Sequence, residues 1–129
     1  MKNNIALGGT KYTIEWFFDD KGYSQALEYF EELPESQQDK ILALFQFMAT
    51  MGKIWDTTKF RNEGGGIYAF KAGQDRYLCF FFKQGKIIVT NAYTKKSQKM
   101  PPKEKRRALA AYKDYVNRVQ EETYYEEAN

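Results

Sequence analysis

The feature that most constrains this chain is a pair of apolar runs, residues 76–83 and 86–93, separated by Gln84 and Gly85 alone. A two-residue connection with a glycine to take positive φ is the length of a tight antiparallel hairpin, whereas parallel strands need a crossover of about a dozen residues. In the first run Tyr77, Cys79 and Phe81 face one way, and Leu78, Phe80 and Phe82 face the other. A strand that is apolar on both sides must be covered on both, so it is expected at the centre of its sheet. A third strand-like run, residues 67–71, precedes it, which gives a three-stranded antiparallel meander.

Upstream, Tyr12, Ile14, Trp16 and Phe18 alternate with Thr13, Glu15 and Phe17, the period of a first strand with one buried face. Asp19, Asp20 and Gly22 turn the chain, and Ser24 can cap a short helix carrying Ala26, Leu27, Phe30 and Leu33. Pro34 interrupts and then opens a second helix. Its Ile41, Leu44, Phe45 and Met48 lie at i, i+3, i+4 and i+7, with Gly52 just past the end. The two helices read as an αα-hairpin. Residues 53–66 turn to Asp, Thr, Lys, Asn and the run Gly64-Gly65-Gly66, and read as a loop rather than a phosphate-cradling motif, because no helix start or Lys-Ser/Thr follows. Pro101 and Pro102 open a final helix with Leu109, Tyr112, Val116 and Val119 on one stripe, reaching about Gln120. The expectation is one α+β domain spanning residues 1–129, ordered over about residues 10–120, with a solvated acidic tail at 121–129. Its helices, the C-terminal one included, are expected on one sheet face, leaving the other face free for a partner.

Composition narrows the chemistry. The sequence has no histidine, which removes Ser-His-Asp triads, Cys-His dyads, histidine zinc sites and paired-histidine ribonuclease mechanisms. Any catalysis must come from Lys, Arg, Tyr or carboxylates, and neither a metal nor a cofactor is expected. Cys79, the single cysteine, sits between Leu78 and Phe80 as a small buried hydrophobe. The densest apolar stretch, residues 77–82, is only strand length, and residues 1–9 lack the apolar segment of a secretory signal, so a cytoplasmic chain without a membrane span is expected. Glu28, Glu31, Glu32 and Glu35 read as a solvated face.

Charge is unevenly distributed. Residues 83–107 carry nine basic groups and only Glu104 against them, while the segments before and after are net acidic. A segment at +8 beside aromatic strands is the footprint of a polyanion partner, because each phosphate contact releases condensed counterions. The plain alternative is a solvated lysine-rich turn.

Four stretches carry a family resemblance: Trp16-Phe17-Phe18 with Gly22; Lys59-Phe60-Arg61 before residues 67–71; Arg76-Tyr77; and residues 93–99 followed by Pro101, Glu104, Ala108 and Asp114-Tyr115. In this order they resemble the RelE/ParE superfamily of type II toxin–antitoxin toxins, and most the HigB-like and phage-derived branch, over roughly residues 12–118. Lys71 stands where that branch usually carries an arginine. The resemblance implies a RelE-like fold and an endoribonuclease (mRNA interferase) that inhibits translation, in many relatives on the ribosome. It also implies neutralisation by a cognate antitoxin, often a helix-turn-helix protein. A non-catalytic module on the same scaffold, such as a ParE-like gyrase inhibitor or a phage accessory protein, is the alternative.

Cleaving RNA through its own 2'-hydroxyl requires the phosphorane charge to be neutralised, and without histidine or metal fixed cations must do it. Arg76, at the start of the central strand, suits this role because its planar fork matches a phosphate bidentately. Lys71 lies on the neighbouring strand. Lys95 or Lys96 can act as acid or base where other cations depress the amine, or can hold backbone phosphate. Tyr93 can stack on a base or donate its hydroxyl. Lys59, Arg61, Lys99, Lys103, Lys105, Arg106 and Arg107 are candidate RNA contacts, the last four at a helix start where cations oppose the helix dipole and call for a counter-anion.

Overall fold

The computed structural model describes residues 4–125. The hairpin at its centre is formed by β5 (Asp75–Phe82) and β6 (Lys86–Thr94), turned through Gln84 and Gly85, both at positive φ. β4 (Ile67–Ala72) pairs antiparallel on the far side of β5. The early strand, β2 (Thr13–Trp16), pairs parallel with β6. Two strands absent from the sequence expectation complete a six-stranded mixed sheet. β1 (Ile5–Gly8) forms one edge beside β2, and β3 (Phe60–Gly64) forms the other beside β4, so the order is β1-β2-β6-β5-β4-β3. The segment expected as a loop thus contains an edge strand and its turn.

Three helices follow their sequence signals. Ser24 accepts from the Leu27 amide, 3.2 Å, at the start of α1 (Gln25–Glu31). Pro34 precedes α2 (Glu35–Met51), which ends on Gly52 at φ 84°, the left-handed cap that glycine takes without a Cβ penalty. α3 is Pro102–Gln120. Ile41, Phe45 and Met48 of α2 are buried, as the spacing predicts. On α3 the expected Tyr112, Val116 and Val119 pack, partly buried, against the sheet beside the buried Ala108 and Tyr115, while Leu109 is exposed at the margin.

The helices cover both faces of the sheet. α1 and α2 lie on the face of Trp16, Phe70, Tyr77, Cys79 and Val89. α3 lies on the opposite face, over Ile67, Ala69, Leu78, Phe80 and Ile88. The two-faced apolarity of β5 explains this, since Leu78 and Phe80 left bare would each forgo about 1.5–3 kcal/mol of burial. The open sheet face expected for a partner is therefore occupied by α3.

The chain also remains packed past Gln120. Tyr124 is buried, stacks on Phe17, and accepts the Phe18 amide on its hydroxyl at 3.0 Å. Tyr125 donates to Glu15 at 2.8 Å. Arg118 reaches the Phe18 carbonyl at 2.7 Å and lies over the Tyr124 ring. Of the tail expected to be solvated, Glu121 and Glu122 are exposed, whereas Tyr124 and Tyr125 are held against the end of β2 and the residues after it, and Glu126 and Glu127 lie outside the described residues.

Candidate nucleic-acid interface

Two irregularities in the sheet build a cationic cleft on the α3 side. The first is in β6: Leu78 pairs with Asn91 and Cys79 with Val89, so Thr90 is an extra residue. A bulge of this kind resets the side-chain alternation downstream. Val89 lies on the face covered by α1 and α2, and strict period two would send Asn91 and Tyr93 the same way. Instead both face α3, and Tyr93 sits opposite Arg76 on β5, which is itself opposite Lys71 on β4. The bulge is held by Thr90, whose hydroxyl contacts the Leu78 carbonyl at 3.2 Å and the Asn91 amide oxygen at 2.6 Å. Asn91 in turn donates to the Glu104 carboxylate at 3.0 Å, tying the first turn of α3 to the strand.

The second irregularity is in β3. Asn62 pairs with Tyr68 and Gly64 with Ile67, leaving Glu63 as the extra residue. The Asn62 side chain accepts the Gly64 amide at 2.8 Å, and Lys105 of α3 donates to the Glu63 carbonyl at 2.8 Å. Gly66, at φ +88°, passes so close to α3 that a Cβ there would lie 3.0 Å from the Tyr112 ring. The glycine run thus lets the β3–β4 turn fit under α3.

Arg61, Glu63, Lys71, Arg76, Tyr93, Lys95 and Lys99 line the resulting cleft, closed by Ser97, Gln98 and Met100. Arg76 is held at its base, 9% exposed, by bonds from one guanidinium nitrogen to the carbonyls of Gly73 at 2.8 Å and Asp75 at 3.1 Å. No carboxylate of the described residues forms an ion pair with it. The adjacent Asp75 carboxylate is turned to the other sheet face, where it accepts from Tyr29 at 2.6 Å. Lys95 is brought in by its amide bond to the Gln74 carbonyl, 2.7 Å. β6 itself is steadied where β2 ends: the Gln25 side chain both donates to and accepts from the Ala92 backbone, at 2.9 and 2.7 Å.

The electrostatics follow from this crowding. Burial lowers the Lys71 pKa from its ordinary value, and the charges of Arg76, Arg61 and Lys95 push it the same way, opposed by Glu63. Its ammonium donates to the Thr57 carbonyl at 3.2 Å. Burial raises the Tyr93 hydroxyl, with Glu63 and Glu104 adding to the rise and Arg76 opposing it. A polar concavity with several unpaired cations is chemically suited to an anion.

Of the residues expected from sequence, Arg76, Lys71, Tyr93, Lys95, Arg61 and Lys99 share this cleft. Lys96, exposed, does not line it. Lys59 is likewise outside, its carbonyl spent on the Lys71 amide. Lys103 and Arg106 are exposed on α3 and do not line the cleft, and Arg107 lines a separate concavity with Phe17, Asp19 and Tyr23. A counter-anion for the basic helix start is internal in one case, where Arg107 pairs with Glu104 at 3.4 Å, while Lys105 donates to a backbone carbonyl, that of Glu63. Sequence reading missed Glu63, whose signal was the acidic residue between Asn62 and Gly64.

Comparison with family models places the chain in the RelE/toxin–antitoxin superfamily. It belongs to the family described as Phage derived protein Gp49-like (DUF891), whose model matches residues 28–113, from α1 into α3 and across the whole cleft. No curated protein matches the chain. No helix among the described residues is long and apolar enough to cross a membrane.

Proposed function

We propose that this protein is the toxin of a type II toxin–antitoxin pair, of HigB-like type, and that it cleaves messenger RNA without a metal, at the decoding site of the ribosome. The observation that carries the reading is the cleft itself: Arg76, with no carboxylate paired to it among the described residues, faces Lys71 and Tyr93 across adjacent strands with Lys95 beside them. In the proposed reaction Arg76 binds the scissile phosphate and neutralises the phosphorane, a task for which one well-aimed donor is worth about 10²- to 10³-fold. Lys71, desolvated and surrounded by cations, donates a proton more readily than an ordinary lysine. Tyr93 offers a ring for base stacking, and Arg61, Lys95 and Lys99 hold the flanking phosphates. A helix-turn-helix antitoxin encoded beside the toxin is the proposed partner, and the cytoplasm the proposed location.

One observation favours a second reading. Ile67 and Ala69, on the same face of β4 as Lys71, are sealed under α3, so that strand offers the cleft no further cation. A cleft with Lys71 as its sole β4 cation also suits a non-catalytic binding module on this scaffold, such as a ParE-like gyrase inhibitor or a phage accessory protein. Primer extension on transcripts after induced expression separates the two. New 5' ends that vanish with Arg76→Ala support the nuclease, whereas intact transcripts during growth arrest overturn it.

A further inference from the structure

We propose that Glu63 is the proton acceptor of this cleft, taking the 2'-hydroxyl proton of the bound ribonucleotide; this rests on the nuclease reading. Glu63 is the one carboxylate among the residues lining a concavity otherwise charged by Arg61, Lys71, Arg76, Lys95 and Lys99. Yet it makes no ion pair with any described residue, so its oxygens are open to a substrate proton. Its position is fixed from two directions. The β3 bulge makes it the unpaired extra residue beside an Asn62-capped turn, and Lys105 of α3 grips its carbonyl. Bulges recur next to active sites because they re-aim one side chain, and this one falls on the acidic residue of a basic cleft.

The chemistry needs such a group. With no histidine in the sequence, the bases available near neutral pH are a carboxylate or a depressed amine, and Lys71, whose pKa is lowered in this cleft, is already assigned as the acid in the proposed reaction. Glu63 also opposes the cations at Lys71 and raises Tyr93, which keeps both of them protonated as donors. The step balances without a co-reactant. The O2' proton passes to the Glu63 carboxylate as O2' bonds to phosphorus, the P–O5' bond breaks, and O5' leaves with a proton from Lys71. The products are a 2',3'-cyclic phosphate and a 5'-hydroxyl.

The test is single-turnover cleavage of messenger RNA on purified ribosomes across pH 4 to 9, a span that includes the ordinary glutamate value of about 4.3, with wild type, Glu63→Gln and Glu63→Asp. Glu63→Gln, equal in shape, is expected to slow cleavage by about 10²- to 10⁴-fold, erase the acid limb of the pH profile and leave the thermal midpoint unchanged. Glu63→Asp should restore part of the rate and keep the limb. A Glu63→Gln protein that cleaves at the wild-type rate, or slower with the acid limb intact, overturns the role of Glu63 and leaves the nuclease reading standing. A wild type that cuts no RNA, with 5' ends equally absent in cells, overturns both.

Discussion

Replacing Arg76 by alanine separates a structural from a functional role because the two have different sizes. Structurally, the change removes two bonds from one guanidinium nitrogen to the Gly73 and Asp75 carbonyls of the β4–β5 turn. Hydrogen bonds from a charged donor contribute about 1.5–3 kcal/mol when buried, but Gly73 is exposed and water can replace its share. Loss of repulsion with Lys71 offsets part of the remainder. The expected cost is about 1 kcal/mol, or about 3–5 °C in the midpoint of a chain this long. Functionally, removing the donor aimed at the phosphorane is expected to lower cleavage by about 10²- to 10³-fold, equivalent to about 2.7–4 kcal/mol. Arg76→Lys, which keeps the charge and loses the fork, should fall between. The assay is paired: thermal unfolding by circular dichroism, and growth inhibition with 5'-end mapping after induction. Growth inhibition within twofold of wild type, or a midpoint lowered by more than about 10 °C, would refute the reasoning, the second by showing that Arg76 is a folding residue.

Other expectations follow from the packing. Gly66→Ala combines positive φ with a Cβ 3.0 Å from Tyr112 and should cost about 2–3 kcal/mol by denaturant unfolding, against about 1 kcal/mol for Gly73→Ala, where positive φ meets open space. Tyr124→Phe removes the acceptor of the buried Phe18 amide and should cost about 1–2 kcal/mol, whereas Tyr77→Phe removes a buried hydroxyl without a hydrogen-bond partner among the described residues and should be neutral or stabilising. Lys71 should titrate below 10.5 by side-chain NMR, and its pKa should rise in Arg76→Ala. Because the folded value lies below the unfolded one, the unfolded chain binds more protons in that window, so Lys71 makes the fold more stable as pH rises through it.

The parts of the fold legible in the sequence are those whose burial imposes a period. β5, apolar on both faces, announced a central strand, and Ile41, Phe45 and Met48 announced the buried face of α2. The edge strands were not legible. β3 is written Phe-Arg-Asn-Glu-Gly, polar because its outer side meets water, and Ile5 of β1 is exposed. The rank of cations in the cleft was legible as charge, but its geometry was not, because the Thr90 bulge moves Tyr93 to the face that strict alternation denies it. Adjacent residues also diverge: Lys95 turns into the cleft while Lys96 stays outside, a distinction that spacing along a turn does not encode. The tail hid its tyrosines among glutamates, and only the Phe17 and Phe18 surface that receives Tyr124 shows why it docks.

The central claim, that the cleft seats an RNA backbone, is tested most directly by the salt dependence of binding to a short single-stranded RNA. Each neutralised phosphate contributes a slope of about −0.7 in log K against log salt. Arg76→Ala is expected to flatten the slope by about that amount, while the double variant Lys103→Ala and Arg106→Ala, outside the cleft, leaves it unchanged. A slope untouched by Arg76→Ala and flattened by the α3 pair would contradict the account.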